Sequence, residues 1–275
     1  MRQQRRTPDN VMINSLPPEA PPPRLSVVTA VFDRRDTIGQ SLRSTLAQRD
    51  VALELVVQDG GSRDGTLETI RAVEDPRITL RSEQDAGLYD AINRGIARAR
   101  GDVIGLMHSD DLFAHDGVLT RVAELFEDPR IDGVYGDLDY VSAADPDRIV
   151  RRWRSGAYTP RKLARGWMPP HPTLYLRREV FERWGAYDTD FRIAADYEAM
   201  LRWLVRGGIR LAHLPEVMVK MRVGGESNRS LERILLKSRE DYRAMRRHGV
   251  GGLRTLAWKN FGKLDQFIRK DERST

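Results

Sequence analysis

Side chains able to do chemistry gather at a few short points in the 275-residue chain. His108-Ser109-Asp110-Asp111 places two adjacent carboxylates directly behind an apolar run. Adjacent carboxylates repel unless positive charge sits beside them. A divalent cation shared with substrate phosphates is the economical partner, since Mg²⁺ typically takes one or two carboxylates plus phosphate oxygens. The plainer alternative is a pair of acids capping the helix that starts at Val118. Gln58 to Thr66 reads QDGGSRDGT. Its three glycines permit positive φ, and Asp64 or Ser62 can cap the next helix. Asp59 is placed to accept from the N–H edge of a nucleobase, or to close an ordinary strand–turn–helix connection. In Asp85-Ala86-Gly87-Leu88-Tyr89-Asp90-Ala91-Ile92-Asn93, Asp85 and Gly87 precede a helix, and Asp90 and Asn93 share one of its faces. Asp196, after Ala194-Ala195, is a carboxylate at a helix start among small apolar residues, which suits a general base or a cap. His171 lies between prolines. Gly224-Gly225-Glu226-Ser227-Asn228 is a polar turn able to close over phosphates or simply to turn.

The elements that must position these groups alternate. LSVVTAVF (25–32), LELVVQD (53–59), Ile78–Ser82, 102–111, 133–141 and 217–222 read as strands. The first lacks polar alternation beyond Ser26 and Thr29, as in a strand buried on both faces. Between them, Ile38–Leu46, the stretch from Thr66 to Val73, Leu88–Arg100 and Val118–Phe126 read as helices, the third closing at Gly101. The pattern predicts a mostly parallel, doubly wound α/β sheet. Ligands of such sheets sit beyond the carboxyl ends of the strands. Asp33, Asp59, Asp110 and Asp111 all follow strand ends.

Several classes drop out. The chain has no cysteine, which excludes disulfides and thiolate metal sites. No apolar run is long enough to span a bilayer, and no apolar stretch follows the N-terminal arginines. A cytoplasmic protein is therefore expected. No Gly-Lys-Ser/Thr or G-x-G-x-x-G follows the first strand. The net charge of +6 hints at nucleic acid, but its location argues otherwise. Residues 1–24 carry +2, residues 229–275 carry +7, and the body between them is at −3. The organisation read from this is a disordered Pro-rich lead (1–24), a catalytic domain (25–228) and a basic amphipathic helical extension (229–275). Trp258, Phe261, Leu264, Phe267 and Ile268, set among Lys and Arg, direct residues 248–275 towards an anionic membrane surface.

TAVFDR, DGGSRDGT, D-x-G-x-Y-D-A-x-N-x-G, HSDD and AADYE, in this order over residues 25–228, resemble the family 2 glycosyltransferases of GT-A fold. The His-Pro at 171–172 and the late GG-x-S are similar to bacterial enzymes that build exopolysaccharide, capsule or O-antigen units. The resemblance implies inverting, metal-dependent transfer from a nucleotide-diphospho-sugar to a hydroxyl of a saccharide or lipid-linked acceptor, at the inner face of the plasma membrane. By the same resemblance Thr29, Ala30 and Asp33 would line the nucleotide site, and Asp59 would hold the base. Asp85 and Asp90 would pack beside the donor, and Asp110 would approach the ribose or the metal. Asp111 would coordinate Mg²⁺ or Mn²⁺, and Asp196 would deprotonate the acceptor. His171 and Ser227 are candidate contacts to acceptor or diphosphate. Two positions depart from the family: His108 and Ala195 stand where acids are common. Two other readings remain. A nucleotidyltransferase would need a glycine-rich basic loop near the first strand, for which Arg34 and Arg35 are a weak match. A silent sugar-nucleotide-binding protein would not need both Asp111 and Asp196. Nucleic acid is not an expected partner.

Overall fold

The structure is a computed structural model that describes residues 12–13, 25–223 and 231–261. Strands β1 (Met12–Ile13), β2 (Leu25–Val31), β3 (Leu53–Asp59), β4 (Ile78–Ser82) and β5 (Val103–Leu106) alternate with helices. These are α1 (Arg35–Leu46), α2 (Thr66–Arg71) and α3 (Leu88–Arg98). Then come β6 (Leu112–Phe113), α4 (Val118–Leu125), β7 (Gly133–Val141), β8 (Ile149–Trp153), α5 (Pro160–Leu163), β9 (Tyr175–Arg177), α6 (Arg178–Trp184) and α7 (Ala195–Leu201). A π-helical turn, Arg202–Arg206, prolongs α7. Strand β10 (Leu211–Arg222) precedes α8 (Leu231–His248) and α9 (Leu253–Phe261).

The strands form one sheet in the order β1-β4-β3-β2-β5-β9-β7-β10-β6, with β8 paired to β7. Strands β4, β3, β2 and β5 are mutually parallel, as are β7 and β10. Strand β9 runs antiparallel between these two groups. The expected parallel sheet is thus present, but an unforeseen three-residue strand divides it. Its segment, Tyr-Leu-Arg, is too short to show a period of two. Strand β10 starts six residues earlier than its apolar run indicates. It passes Pro215 through register shifts between His213 and Val219, the irregularity that a residue without an amide donor requires.

Every residue of β2 and β3 is buried. Alternate side chains serve two cores. Val28, Ala30 and Val56 join α3 and α7 on one face, while Leu25, Val27, Leu55 and Val57 join α1 and α4 on the other. The end of α3 differs from expectation: the helix stops at Arg98 and Ala99 is extended. Gly101 is no left-handed cap. A Cβ there would lie 2.7 Å from the Ser26 amide nitrogen, so the glycine lets the chain pass close to β2.

At the ends of the chain, Met12 and Ile13 pair with Arg81 and Leu80 of β4, a contact unforeseen in the Pro-rich lead. Helix α8 lies on α7 and buries Ala244 and Met245. His248 Nε2 sits 2.8 Å from Glu198 Oε1 of α7. Thr255 of α9 donates to the Ala164 carbonyl, and Lys259 Nζ reaches Asp241 Oδ1 at 2.7 Å. The start of the 248–275 stretch is therefore docked on the body through Thr255 and Lys259. The residues from 262 onward lie outside the described ones. No helix among the described residues is long and apolar enough to cross a membrane.

Candidate active site

The loops after β2 and β3 are zipped together. Asp33, held at φ 48°, donates its N–H to Ser62 Oγ (2.8 Å) and accepts from the Arg63 N–H (2.9 Å). Arg34 and Arg35 donate their N–H groups to Thr66 Oγ1 and Asp64 Oδ2. Asp59 is fully buried. Its Oδ2 takes the N–H of Gly61 (3.0 Å) and the hydroxyl of Ser82 (2.6 Å), and its Oδ1 takes the hydroxyl of Ser62 (2.5 Å). Both acids therefore build the rim, Asp59 from beneath and Asp33 from within the turn. Thr29 and Ala30 are enclosed inside β2. Strand-tip residues, not these two, are what β2 presents outward.

Phe32 is the most conspicuous of those tip residues, at 57% exposure. It was missed in the sequence, where it reads as the last member of an apolar run. Asp85 stands beside it: a Cβ added to Gly60 would fall 2.5 Å from Asp85 Oδ2 and 3.3 Å from the Phe32 ring. Burial raises the Asp85 carboxyl above its ordinary range, the Gly87 N–H offsets this, and the charges of Asp90 and Asp59 add to the rise. Asp90 accepts the Ala86 N–H (2.9 Å) and pairs with Arg94 (2.8 Å), which fixes the loop entering α3.

Asp110 and Asp111 lie between β5 and β6. Asp111 is 1% exposed. Its Oδ1 accepts the Arg222 N–H at 3.1 Å, and its Oδ2 is buried with no hydrogen-bond partner. Burial pushes its carboxyl well above the usual range, and the Asp110 charge adds to this. The Arg222 N–H and guanidinium pull the other way. That guanidinium donates to the Asp110 carbonyl and to Gln40 Oε1. Arg222 also escaped the sequence reading; its signal is a basic residue ending a strand just before the GG-x-S segment. Among the described residues no three His, Asp or Glu side chains converge as a complete metal cage. An unpartnered carboxylate oxygen beside a second carboxylate does fit a divalent cation that takes its remaining ligands from diphosphate.

Asp196 sits in the first turn of α7, half-buried, rather than at the cap; its Oδ1 accepts the Tyr197 N–H at 2.8 Å. The Tyr89 hydroxyl lies 3.4 Å from the same oxygen and donates to the Ile193 carbonyl at 2.9 Å. The Asp196 charge is felt by Tyr89, His108, His171 and Tyr187. These rings form a wall: His108 and His171 are 5.8 Å apart, and His171 Nε2 lies 2.9 Å from the Tyr187 hydroxyl. Burial holds His171 down to about 4, with Asp196 opposing, so it is neutral. Burial also lowers His108, while Asp110 and Asp196 both raise it. His108, on the β5 tip, packs its ring against His171. His171 is a buried member of this wall, bonded to Tyr187. Ser227 lies outside the described residues.

Asp33, Asp59, Asp110 and Asp111 thus gather at the carboxyl ends of β2, β3 and β5 in a mixed α/β sheet. The family model for glycosyl transferase family 2 matches residues 26–185, and the chain belongs to that family. An uncharacterized glycosyltransferase of Mycobacterium tuberculosis is 33% identical over 185 residues, 66% of this chain and 68% of the relative. A PGL/p-HBAD biosynthesis glycosyltransferase of Mycobacterium bovis is 28% identical over 225 residues, covering 78% and 83%. The succinoglycan biosynthesis protein ExoO of Rhizobium meliloti is 30% identical over 202 residues, covering 68% and 57%. Among solved structures, a Pyrobaculum calidifontis mannosyltransferase in complex with GDP-Man and Mn²⁺ superposes with a TM-score of 0.61 at 19% identity, covering 86% of this chain and 67% of that one. Residues 1–349 of S. aureus TarS in complex with UDP-GlcNAc give 0.62 at 17% identity, covering 82% and 66%. The fold is GT-A.

Proposed function

We propose that this glycosyltransferase moves a sugar, with inversion, from a nucleotide-diphospho-sugar to a hydroxyl of a saccharide acceptor during assembly of a surface polysaccharide or glycolipid. The observation that carries the reading is a run of contacting rings: His108, two residues before Asp110, lies 5.8 Å from His171, His171 bonds Tyr187, Tyr187 packs 5.6 Å from Tyr89, and the Tyr89 hydroxyl lies 3.4 Å from Asp196. This run from the β5 tip to the acid of α7 supports a site shared by donor and acceptor. Asp196, half-buried and steadied by Tyr89, takes the proton from the acceptor hydroxyl as that oxygen attacks the anomeric carbon. Attack comes from the face opposite the departing nucleoside diphosphate, so one displacement inverts the centre. Asp111, with Asp110 beside it, would hold Mg²⁺ or Mn²⁺; such a cation supplies positive charge to the leaving diphosphate. Phe32 offers a face to the nucleobase and Asp85 an acceptor to its N–H edge, while Asp59 and Asp33 hold the rim in shape. Ser227 is retained as a contact to the diphosphate and His171 as a support of the acceptor wall.

The substrates printed for the structural neighbours, GDP-Man and UDP-GlcNAc, support a nucleotide-sugar donor. The roles printed for the relatives, PGL/p-HBAD and succinoglycan biosynthesis, support a glycolipid or exopolysaccharide acceptor. A lipid-linked acceptor accords with the basic residues beyond 247 and with a peripheral place on the inner membrane face. The test is release of nucleoside diphosphate from UDP-, GDP- and dTDP-sugars with Mn²⁺. Asp196→Asn is expected to lose at least 10²-fold in rate, on the order typical of a general base, with unchanged nucleotide affinity. Wild-type turnover by that variant would remove Asp196 from the base role.

A further inference from the structure

The strongest anchor of the base-bearing loop comes from outside the segment that matches the family. Glu240, on α8, is 6% exposed. Its Oε1 accepts the Arg192 N–H at 2.9 Å, and its Oε2 accepts the N–H groups of Ile193 (2.8 Å) and Ala194 (2.9 Å). One carboxylate thus gathers three consecutive amides immediately ahead of Ala195 and Asp196. Residue 193 is held from both sides. Its N–H goes to Glu240, and its carbonyl goes to the Tyr89 hydroxyl, which also lies 3.4 Å from Asp196 Oδ1. Burial keeps Tyr89 protonated, reinforced by the Asp196 charge, so it stays a donor in this chain of bonds. No backbone carbonyl nearby substitutes for Glu240, because α7 begins at Ala195 and these amides precede its ladder.

We propose that Glu240 is a positioning residue for the reaction: it sets the 192–194 turn and thereby the place of the Asp196 carboxylate against the acceptor hydroxyl. The C-terminal helix is in this sense part of the acceptor site. The inference rests on the reading of Asp196 as the base. Charge-assisted bonds to backbone N–H groups are stronger than neutral ones. Reacting groups displaced by about 1 Å lose on the order of 10²-fold in rate. Asp111, Asp85 and Phe32 lie on other loops, so the donor side does not depend on Glu240.

The experiment uses the full chain with Glu240→Ala and Glu240→Gln, and Asp196→Asn as reference. Hydrogen exchange of the 188–201 peptide, Kd for UDP, GDP and dTDP with Mn²⁺, and kcat and KM for nucleoside diphosphate release are measured. In Glu240→Ala the amides of 192–194 are expected to exchange faster and kcat to fall about 10- to 100-fold, with nucleotide Kd and donor KM within about twofold of wild type. Glu240→Gln, with one acceptor oxygen left, should fall between. If the alanine chain fails to fold, the glutamine chain carries the same comparison. A wild-type kcat in whichever variant folds, or a loss of nucleotide affinity in step with kcat, overturns the proposal. The two readings fail separately. An active Asp196→Asn removes the base assignment, whereas an inactive Asp196→Asn beside fully active Glu240 variants removes only the role of Glu240.

Discussion

Replacing Asp111 by asparagine is expected to stabilise the metal-free protein while abolishing its response to Mn²⁺. Asp111 is almost wholly buried, with one oxygen on the Arg222 N–H and the other unpartnered. Leaving a buried polar atom unpaired costs about 1–3 kcal/mol, and more when it is charged. The sign follows from the raised carboxyl. A group whose folded pKa lies above its unfolded value gives stability at low pH that is lost as pH rises through the folded pKa. At neutral pH the apo protein therefore bears a cost that a neutral side chain removes. Asparagine keeps an oxygen for Arg222 but adds an amide nitrogen needing its own acceptor, so the net gain is about 1–2 kcal/mol. At about 2–4 °C per kcal/mol for a domain of this class, Tm in EDTA should rise by about 2–8 °C. In the wild type, a ligand at about a hundredfold its Kd adds about 2.7 kcal/mol, so Mn²⁺ with nucleoside diphosphate should raise Tm by a similar step that the variant lacks. Thermal melts at neutral pH, with EDTA or with Mn²⁺ plus UDP, GDP or dTDP, measure both. A variant that melts below wild type in EDTA would refute the uncompensated charge. Equal Mn²⁺ shifts in both proteins would refute Asp111 as a ligand.

Three further outcomes are expected. His171, held neutral at about 4, refuses a proton that the unfolded chain accepts below about 6.5, so its contribution is intact above that pH and is lost as pH falls towards 4. Urea unfolding at pH 7 and pH 5 should show a gap that shrinks by about 2 kcal/mol in His171→Gln; an unchanged gap would mean that His171 is already protonated in the fold. Gly60→Ala drives a methyl group against Asp85 and Phe32. Loss of one charge-assisted bond to the base should weaken nucleotide binding about 10- to 100-fold by calorimetry, and wild-type affinity would place the base elsewhere. Ending the chain after residue 261 spares Thr255 and Lys259 and should lower co-sedimentation with anionic liposomes; equal binding by the shortened and full chains would exclude the last residues as the membrane contact.

The parallel half of the sheet was legible because β2 and β3 are short runs rich in Val and Leu that alternate with helical spacings, and the acid cluster was legible because acids follow such runs. What escaped has a common cause, which is pairing over long separations. Strand β9 is three residues long and gains its identity from β5 and β7. Asp33 and Asp59 read in isolation as ligand-binding acids, and the structure adds a local role: one Asp33 oxygen and both Asp59 oxygens accept from amides or hydroxyls of Gly61, Ser62, Arg63 and Ser82. Phe32 reads as core until the strand is seen to end at Val31. In Glu240, on an amphipathic basic helix, nothing local marks a partner more than forty residues upstream.

The Glu240 anchor has a consequence for where such a chain can be divided. The family model ends at residue 185, before Asp196 and well before the helix that braces the turn ahead of it. The part of the chain that the Glu240 contacts tie together is thus longer than the part the family model covers. A cut just after residue 185 would separate the β2–β5 half of the sheet from Asp196 and from the helix that holds the 192–194 turn.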